Sequence, residues 1–131
     1  METQGFIDEI IDFHVAVTEL FAGTAPDRAG AVDALLDRFD PEFTMITPVG
    51  GVLTKAGLRN LFQDGFGKTP DLVIDITEIV PIATTATSGL VRYAEFQRAG
   101  TDAILRRSTA YFVRAEGRVL WRHLHETFAD S

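Results

Sequence analysis

The stretch ILRRSTAYFVRAEGRVLWRHLHETF, Ile104–Phe128, decides the fold. It reads as the body of two β-strands, Ala103–Arg114 and Arg118–Phe128, meeting at Glu116-Gly117. An X-Gly pair between two runs rich in β-formers is a hairpin signal. Strand side chains alternate between two faces, so the length of the turn decides which polar groups share a face. As a two-residue turn, Glu116-Gly117 sets Phe112 opposite Trp121, Ser108 opposite His125 and Arg106 opposite Thr127.

Working outward, Leu72–Ile82 and Ser88–Arg98 also read with period two and precede this hairpin as strands. With Ala99–Asp102 as a four-residue loop, Glu95 opposes Arg106 and Tyr93 opposes Ser108. Upstream the period changes to 3.6. Phe6, Ile10, Phe13, Val17, Leu20 and Phe21 form the stripe of a helix over Phe6–Phe21, with His14 at the stripe's margin and Gly23 and Pro26 ending it. A second helix runs from about Asp27 to Phe39 and stops before Asp40-Pro41. Phe43–Thr47 is a short strand closed by the turn Pro48–Gly51, and Thr54 caps a third helix carrying Leu58, Leu61 and Phe62. Three helices followed by long consecutive strands is an α+β order. The expected architecture is a cone: three N-terminal helices packed on a strongly curved, mainly antiparallel sheet, in a single domain spanning residues 1–131.

Bulk composition narrows the function. A net charge of −7 argues against nucleic acid and against an anionic membrane surface, both of which call for clustered Lys and Arg. The absence of cysteine excludes disulfides and thiolate zinc sites. No apolar run approaches the roughly 18 residues of a membrane span. The acidic N-terminus METQGFIDEIIDF lacks the basic region of a signal peptide, and a cytoplasmic location is the default expectation.

On this register one sheet face holds Tyr93, Glu95, Gln97, Arg106, Ser108, Trp121, His123, His125 and Thr127. Aromatic rings with convergent polar groups are the usual make-up of a small-molecule pocket. The other face holds Leu90, Arg92, Phe96, Leu105, Arg107, Thr109, Tyr111, Val113, Leu120, Arg122, Leu124, Glu126 and Phe128. That mixture of apolar and charged residues suits a homodimer surface with a polar rim.

Several segments resemble the nuclear transport factor 2-like superfamily. FDPEFTMITPVG at Phe39–Gly50 is similar to that family's first strand and Pro-x-Gly turn. RRST at Arg106–Thr109, then Gly117, Trp121 and LHETF at Leu124–Phe128, resembles its terminal hairpin, and RYAEFQ at Arg92–Gln97 is similar to its small stand-alone members. The resemblance covers nearly the whole chain. It implies a cone-shaped α+β fold, a homodimer through the outer sheet face and an internal pocket, but no single activity. The steroid isomerases of the family use a pair of aspartates that has no counterpart on the pocket strands here. The kinase association domains often carry a second histidine where this chain has Thr127.

Within the pocket face, His125 is the candidate for acid–base work, with Glu95 as an alternative base. Arg106 is the candidate to hold a carboxylate or enolate, or to pair with Glu95 as a structural ion pair. Tyr93, Gln97, Ser108, Trp121, His123, Thr127 and His14 are candidate ligand contacts. His123 and His125 form an H-x-H pair to which Glu95 could add, but this falls short of a zinc ligand set, and no metal is expected. Without a G-x-G-x-x-G or phosphate loop no nucleotide cofactor is expected, and there is no nucleophile elbow or cysteine nucleophile. Two functions stay open: a small organic ligand bound in the cone, with or without cofactor-free isomerase, cyclase or hydrolase chemistry, and a non-catalytic dimeric association module.

Overall fold

Periodicity and end signals place the elements, but the first helix begins at Glu2, before Phe6, and the first strand at Phe39, before Phe43. The computed structural model describes residues 2–130. Helix α1 spans Glu2–Ala22, α2 spans Arg28–Leu36, and α3 spans Lys55–Gly65. Strands are β1 Phe39–Ile46, β2 Val52–Thr54, β3 Val73–Thr84, β4 Ser88–Ala99, β5 Asp102–Ala115 and β6 Arg118–Ala129. The Asp27 carboxylate accepts from the Gly30 amide at 2.7 Å and starts α2. Thr54 caps α3 through Gly57 in the same way. The second helix is shorter than its stripe implies, because Phe39 already belongs to β1. Strand β2 is too short to show a period.

The strands form one open six-stranded sheet in the order β2-β1-β6-β5-β4-β3. Every neighbouring pair is antiparallel except β1 with β6, which run parallel. The long strands β3–β6 coil around α1, whose residues Phe6, Ile10, Phe13, His14, Val17 and Leu20 are all buried. This is the α+β cone.

Two glycines permit close approach. Gly23 and Gly67 both have positive φ, and a Cβ on Gly23 would lie 3.0 Å from the Gly67 Cα. The end of α1 therefore meets the segment after α3 backbone to backbone, and the Gly67 amide donates to the Leu20 carbonyl at 3.0 Å. On β4, Gly89 sits under the Phe6 ring, which is fully buried and stacked on Phe112 at 5.7 Å between centroids. A Cβ there would come within 2.7 Å of two Phe6 ring carbons. Gly89→Ala is expected to cost about 1–3 kcal/mol by overpacking. Urea denaturation checks this, and an unchanged midpoint would contradict it.

The register of the last hairpin differs from the uninterrupted alternation. Ala115 faces Arg118 and Phe112 faces Trp121, as the two-residue turn requires. Between Tyr111 and Phe112 the pairing shifts, so that Tyr111 faces His123 and Arg122 is the extra residue of a β-bulge. Beyond it Ser108 faces Glu126 and not His125, and Arg106 faces Phe128 and not Thr127. Two interactions hold the bulge against β1 and the residue before it: the Trp121 amide donates to the Arg38 carbonyl at 3.0 Å, and Arg122 Nη1 donates to the Glu42 carbonyl at 2.8 Å.

Candidate functional site

The cone holds a cavity of about 830 Å³ that is open to solvent at one side. Its walls are apolar, built by Phe13 and Val17 from α1, Phe43 and Met45 from β1, and Leu58 and Phe62 from α3. Its polar end is made by His14, Glu95, Gln97, Arg106 and Glu126. Exposed Asp64, Lys68, Arg98, Asp102 and Ile104 stand at the rim.

The inward positions of β4 bring Glu95 and Gln97 into this end. There Gln97 Nε2 donates a short hydrogen bond to Glu95 Oε2. His14 reaches across from α1. Its Nδ1 lies 2.7 Å from the Ile10 carbonyl and its Nε2 lies 3.1 Å from Glu95 Oε1. A carbonyl oxygen only accepts, so Nδ1 carries a hydrogen, and a second proton must lie between Nε2 and the Glu95 carboxylate. Burial pushes the Glu95 carboxyl up, but the His14 hydrogen bond and charge, with Gln97 and Arg106, outweigh it and hold the group below its ordinary value. Glu95 is thus held toward its ionised form by the pair it makes with His14.

Glu126 is the second buried carboxylate, 4% exposed. Arg106 Nη1 donates to its Oε1 at 3.1 Å and Ser108 Oγ donates to its Oε2 at 3.1 Å. Burial, then the charge of Glu95, push its carboxyl above the ordinary value, with Arg106 and Ser108 offsetting only part. Two carboxylates in one cavity thus have affinities for a proton driven in opposite directions, the arrangement that separates acid from base.

The structure places Glu95, Gln97 and Arg106 on one inward face, as the register implied, and adds His14 to them from α1. Glu95 and Arg106 are cross-strand neighbours, yet their ion pairs go elsewhere, to His14 and Glu126. Tyr93, Ser108 and Trp121 also face inward but lie behind the cavity wall. Burial, then Glu126 and Glu95, push the Tyr93 phenol well above its ordinary value, while the Arg106 charge tempers the rise. The Tyr93 hydroxyl makes no hydrogen bond among the described residues. Trp121 Nε1 donates to Glu9 Oε2 at 3.0 Å.

His123, His125 and Thr127 are corrected: the bulge turns all three to the outer face. There they line a groove of about 490 Å³ with Arg92, Arg107, Thr109 and Tyr111, and Thr44 Oγ1 meets His123 Nδ1 at 2.8 Å. Leu124, Glu126 and Phe128 make the reverse move, from the outer face inward. Glu126 is the site residue that uninterrupted alternation misses. One signal for it was present: the inward apolar positions Trp121 and Leu124 are three apart, a spacing that period two does not allow. Among the described residues no three His, Asp or Glu side chains converge as metal ligands, and no helix is long and apolar enough to cross a membrane.

An α+β cone with a polar-ended internal cavity is the class of protein these features define. The chain is 38% identical to an NTF2-like protein of unknown function from Pseudomonas aeruginosa, over 96% of this chain and 99% of that one, with a TM-score of 0.90. It belongs to the NTF2-like family. A scytalone dehydratase-like protein from Novosphingobium aromaticivorans superposes with a TM-score of 0.77 at 10% identity, over 98% of this chain and 85% of that one. The association domain of C. elegans CaMKII gives 0.76 at 11% identity, over 95% and 94%. At such identities these two likenesses show the fold alone. No protein-family model matches the chain, and no curated protein matches it.

Proposed function

We propose that the cone interior binds a small organic molecule with an apolar body and moves a proton on it without a cofactor. The observation that supports this is the pairing of Glu95 and Glu126 at one end of an otherwise apolar cavity, with proton affinities shifted in opposite directions. Glu95, kept ionised by His14, is the base. Glu126, which takes a proton more readily, is the acid. Arg106 steadies negative charge beside them. Isomerisation and dehydration of ring compounds are reactions of this type, and a fold neighbour is described as scytalone dehydratase-like.

The test is a thermal-shift panel of bicyclic probes: 2-tetralone, 2-naphthol and 2-naphthylacetate. A bound probe at about 100 times its Kd adds about 2.7 kcal/mol and raises Tm. Ile104 is 39% exposed at the rim, so Ile104→Trp is expected to leave folding intact and abolish the shift. For a probe that binds and has an acidic C–H, exchange in D2O is expected to be accelerated by the wild type and not by Glu95→Gln. No shift with any probe, or shifts unaffected by Ile104→Trp, would overturn the reading.

A second reading concerns the outer face. Val80 and Tyr111 are exposed there beside Leu90, Leu105 and Val113, and fold neighbours include association domains. We propose that two copies pair through this face. Tyr111→Glu would put two like charges into such an interface and is expected to convert a dimer into a monomer at micromolar concentration. Light scattering after gel filtration reads the mass, and a wild-type monomer would refute the pairing.

A further inference from the structure

We propose that the molecule held in the cone is a carboxylic acid, bound as its anion at Arg106, and that Glu126 takes up one proton from solvent when it binds. This rests on the reading of the interior as a small-molecule site and names the class of ligand.

Arg106 meets Glu126 through one nitrogen, Nη1. Its Nε is buried and has no hydrogen-bond partner among the described residues. A guanidinium presents its N–H groups as forks that match a carboxylate, and the fork that includes Nε is not used by Glu126. The side chain is 24% exposed and lines the cavity, with the Phe128 ring 5.7 Å from its Cζ. An unmet donor on a buried cation is costly, and an anion that draws the guanidinium from Glu126 toward the cavity would satisfy it.

Charge balance decides the proton. At the polar end, Glu95 and Glu126 are offset by Arg106 and by the proton held between His14 and Glu95. A further anion leaves one negative charge uncompensated. The other cations on the cavity, Lys68 and Arg98, stand exposed at the rim, and Arg98 is paired with Asp75 at 2.9 Å. A buried unpaired charge neutralises by taking a proton. Glu95 is secured by His14 and Gln97. Glu126 is the group that burial and the Glu95 charge already favour in its neutral form. Once protonated it becomes a donor and can hydrogen-bond the incoming carboxylate while Arg106 changes counter-ion. A neutral ligand of the same shape calls for no proton.

Calorimetric titration of the intact protein near pH 7, in two buffers of different ionisation enthalpy, tests this with 2-naphthylacetate and 2-naphthylacetamide. The acid is expected to bind about tenfold tighter or better. Its apparent enthalpy should differ between buffers by the amount for about one proton taken up, while that of the amide should not. Glu126→Gln should retain acid binding and lose the uptake. Arg106→Met should weaken the acid about thirtyfold or more. Because Arg106→Met strands Glu126, the double variant Arg106→Met/Glu126→Gln makes the same comparison with charge balanced. Equal affinity for acid and amide, or acid binding without proton uptake, overturns the anion site. If such binding is still blocked by Ile104→Trp, the small-molecule reading survives. Failure of both compounds, with no probe in the panel sensitive to Ile104→Trp, overturns both.

Discussion

Trp121→Ala is expected to destabilise the protein by about 3–5 kcal/mol, the range for removing a fully buried large aromatic. Trp121 is fully buried, and its ring lies 4.6 Å from Phe112 and 4.9 Å from Phe13, centroid to centroid, with Phe39 stacked at 6.0 Å. Those partners come from β5, α1 and β1, so one ring ties three elements together. Its indole N–H also satisfies Glu9, whose other carboxylate oxygen accepts from Arg38 at 2.8 Å. Domains of this size are stable by about 5–15 kcal/mol, so the loss is a large share of the whole. Trp121→Phe keeps most of the packing and forfeits the hydrogen bond, worth about 1 kcal/mol. It should therefore fall well short of the alanine variant. Urea denaturation followed by circular dichroism separates the two, since the chain has no other tryptophan to report by fluorescence. Equal and small losses would mean that the ring does not organise the core.

Trp121 also marks where legibility ends. Up to that residue, turn chemistry and period two place each side chain of the hairpin on its face, because the Glu116-Gly117 turn leaves one register. The same logic across the β4–β5 turn puts Glu95 opposite Arg106 and Tyr93 opposite Ser108. One residue later the bulge at Arg122 reverses the parity, exchanging His125 for Glu126. The three-residue spacing of Trp121 and Leu124 hints at a bulge, but its position depends on partners distant in sequence, here the Arg38 and Glu42 carbonyls. The helices were legible from stripes and caps, yet a stripe does not say which of its members meets a carboxylate. His14 stood at the margin of the stripe, and only the coiling of β4 over α1 brings it to Glu95. The parallel pairing of β1 with β6 was likewise out of reach, since strand neighbours far apart in the chain leave no periodic trace.

His14→Ala should be comparably damaging near neutral pH, at about 3–5 kcal/mol, because it strands an ionised carboxylate in the interior. The pH dependence separates this from simple loss of packing. In the wild type the Glu95 carboxyl is held below its unfolded value. It therefore contributes stability that is present above the unfolded pKa and lost as pH falls through the folded pKa. Without His14 the largest opposition to burial is gone and the Glu95 carboxyl rises. The sign then reverses: the folded state favours the protonated form, and stability falls as pH rises through the new folded pKa. The gap between wild type and variant should accordingly narrow as pH is lowered from about 7 to about 4, across the carboxylate range. Glu126 has the raised sign already, so its contribution is present below its unfolded pKa and lost as pH rises through the folded one. Relative to wild type, Glu126→Gln should gain stability as pH rises, the opposite slope to His14→Ala in a neighbouring carboxylate. Denaturation midpoints at several pH values measure both slopes. A His14→Ala penalty that stays constant with pH would show that Glu95 is not the group His14 keeps ionised, and would remove the basis for casting it as the base.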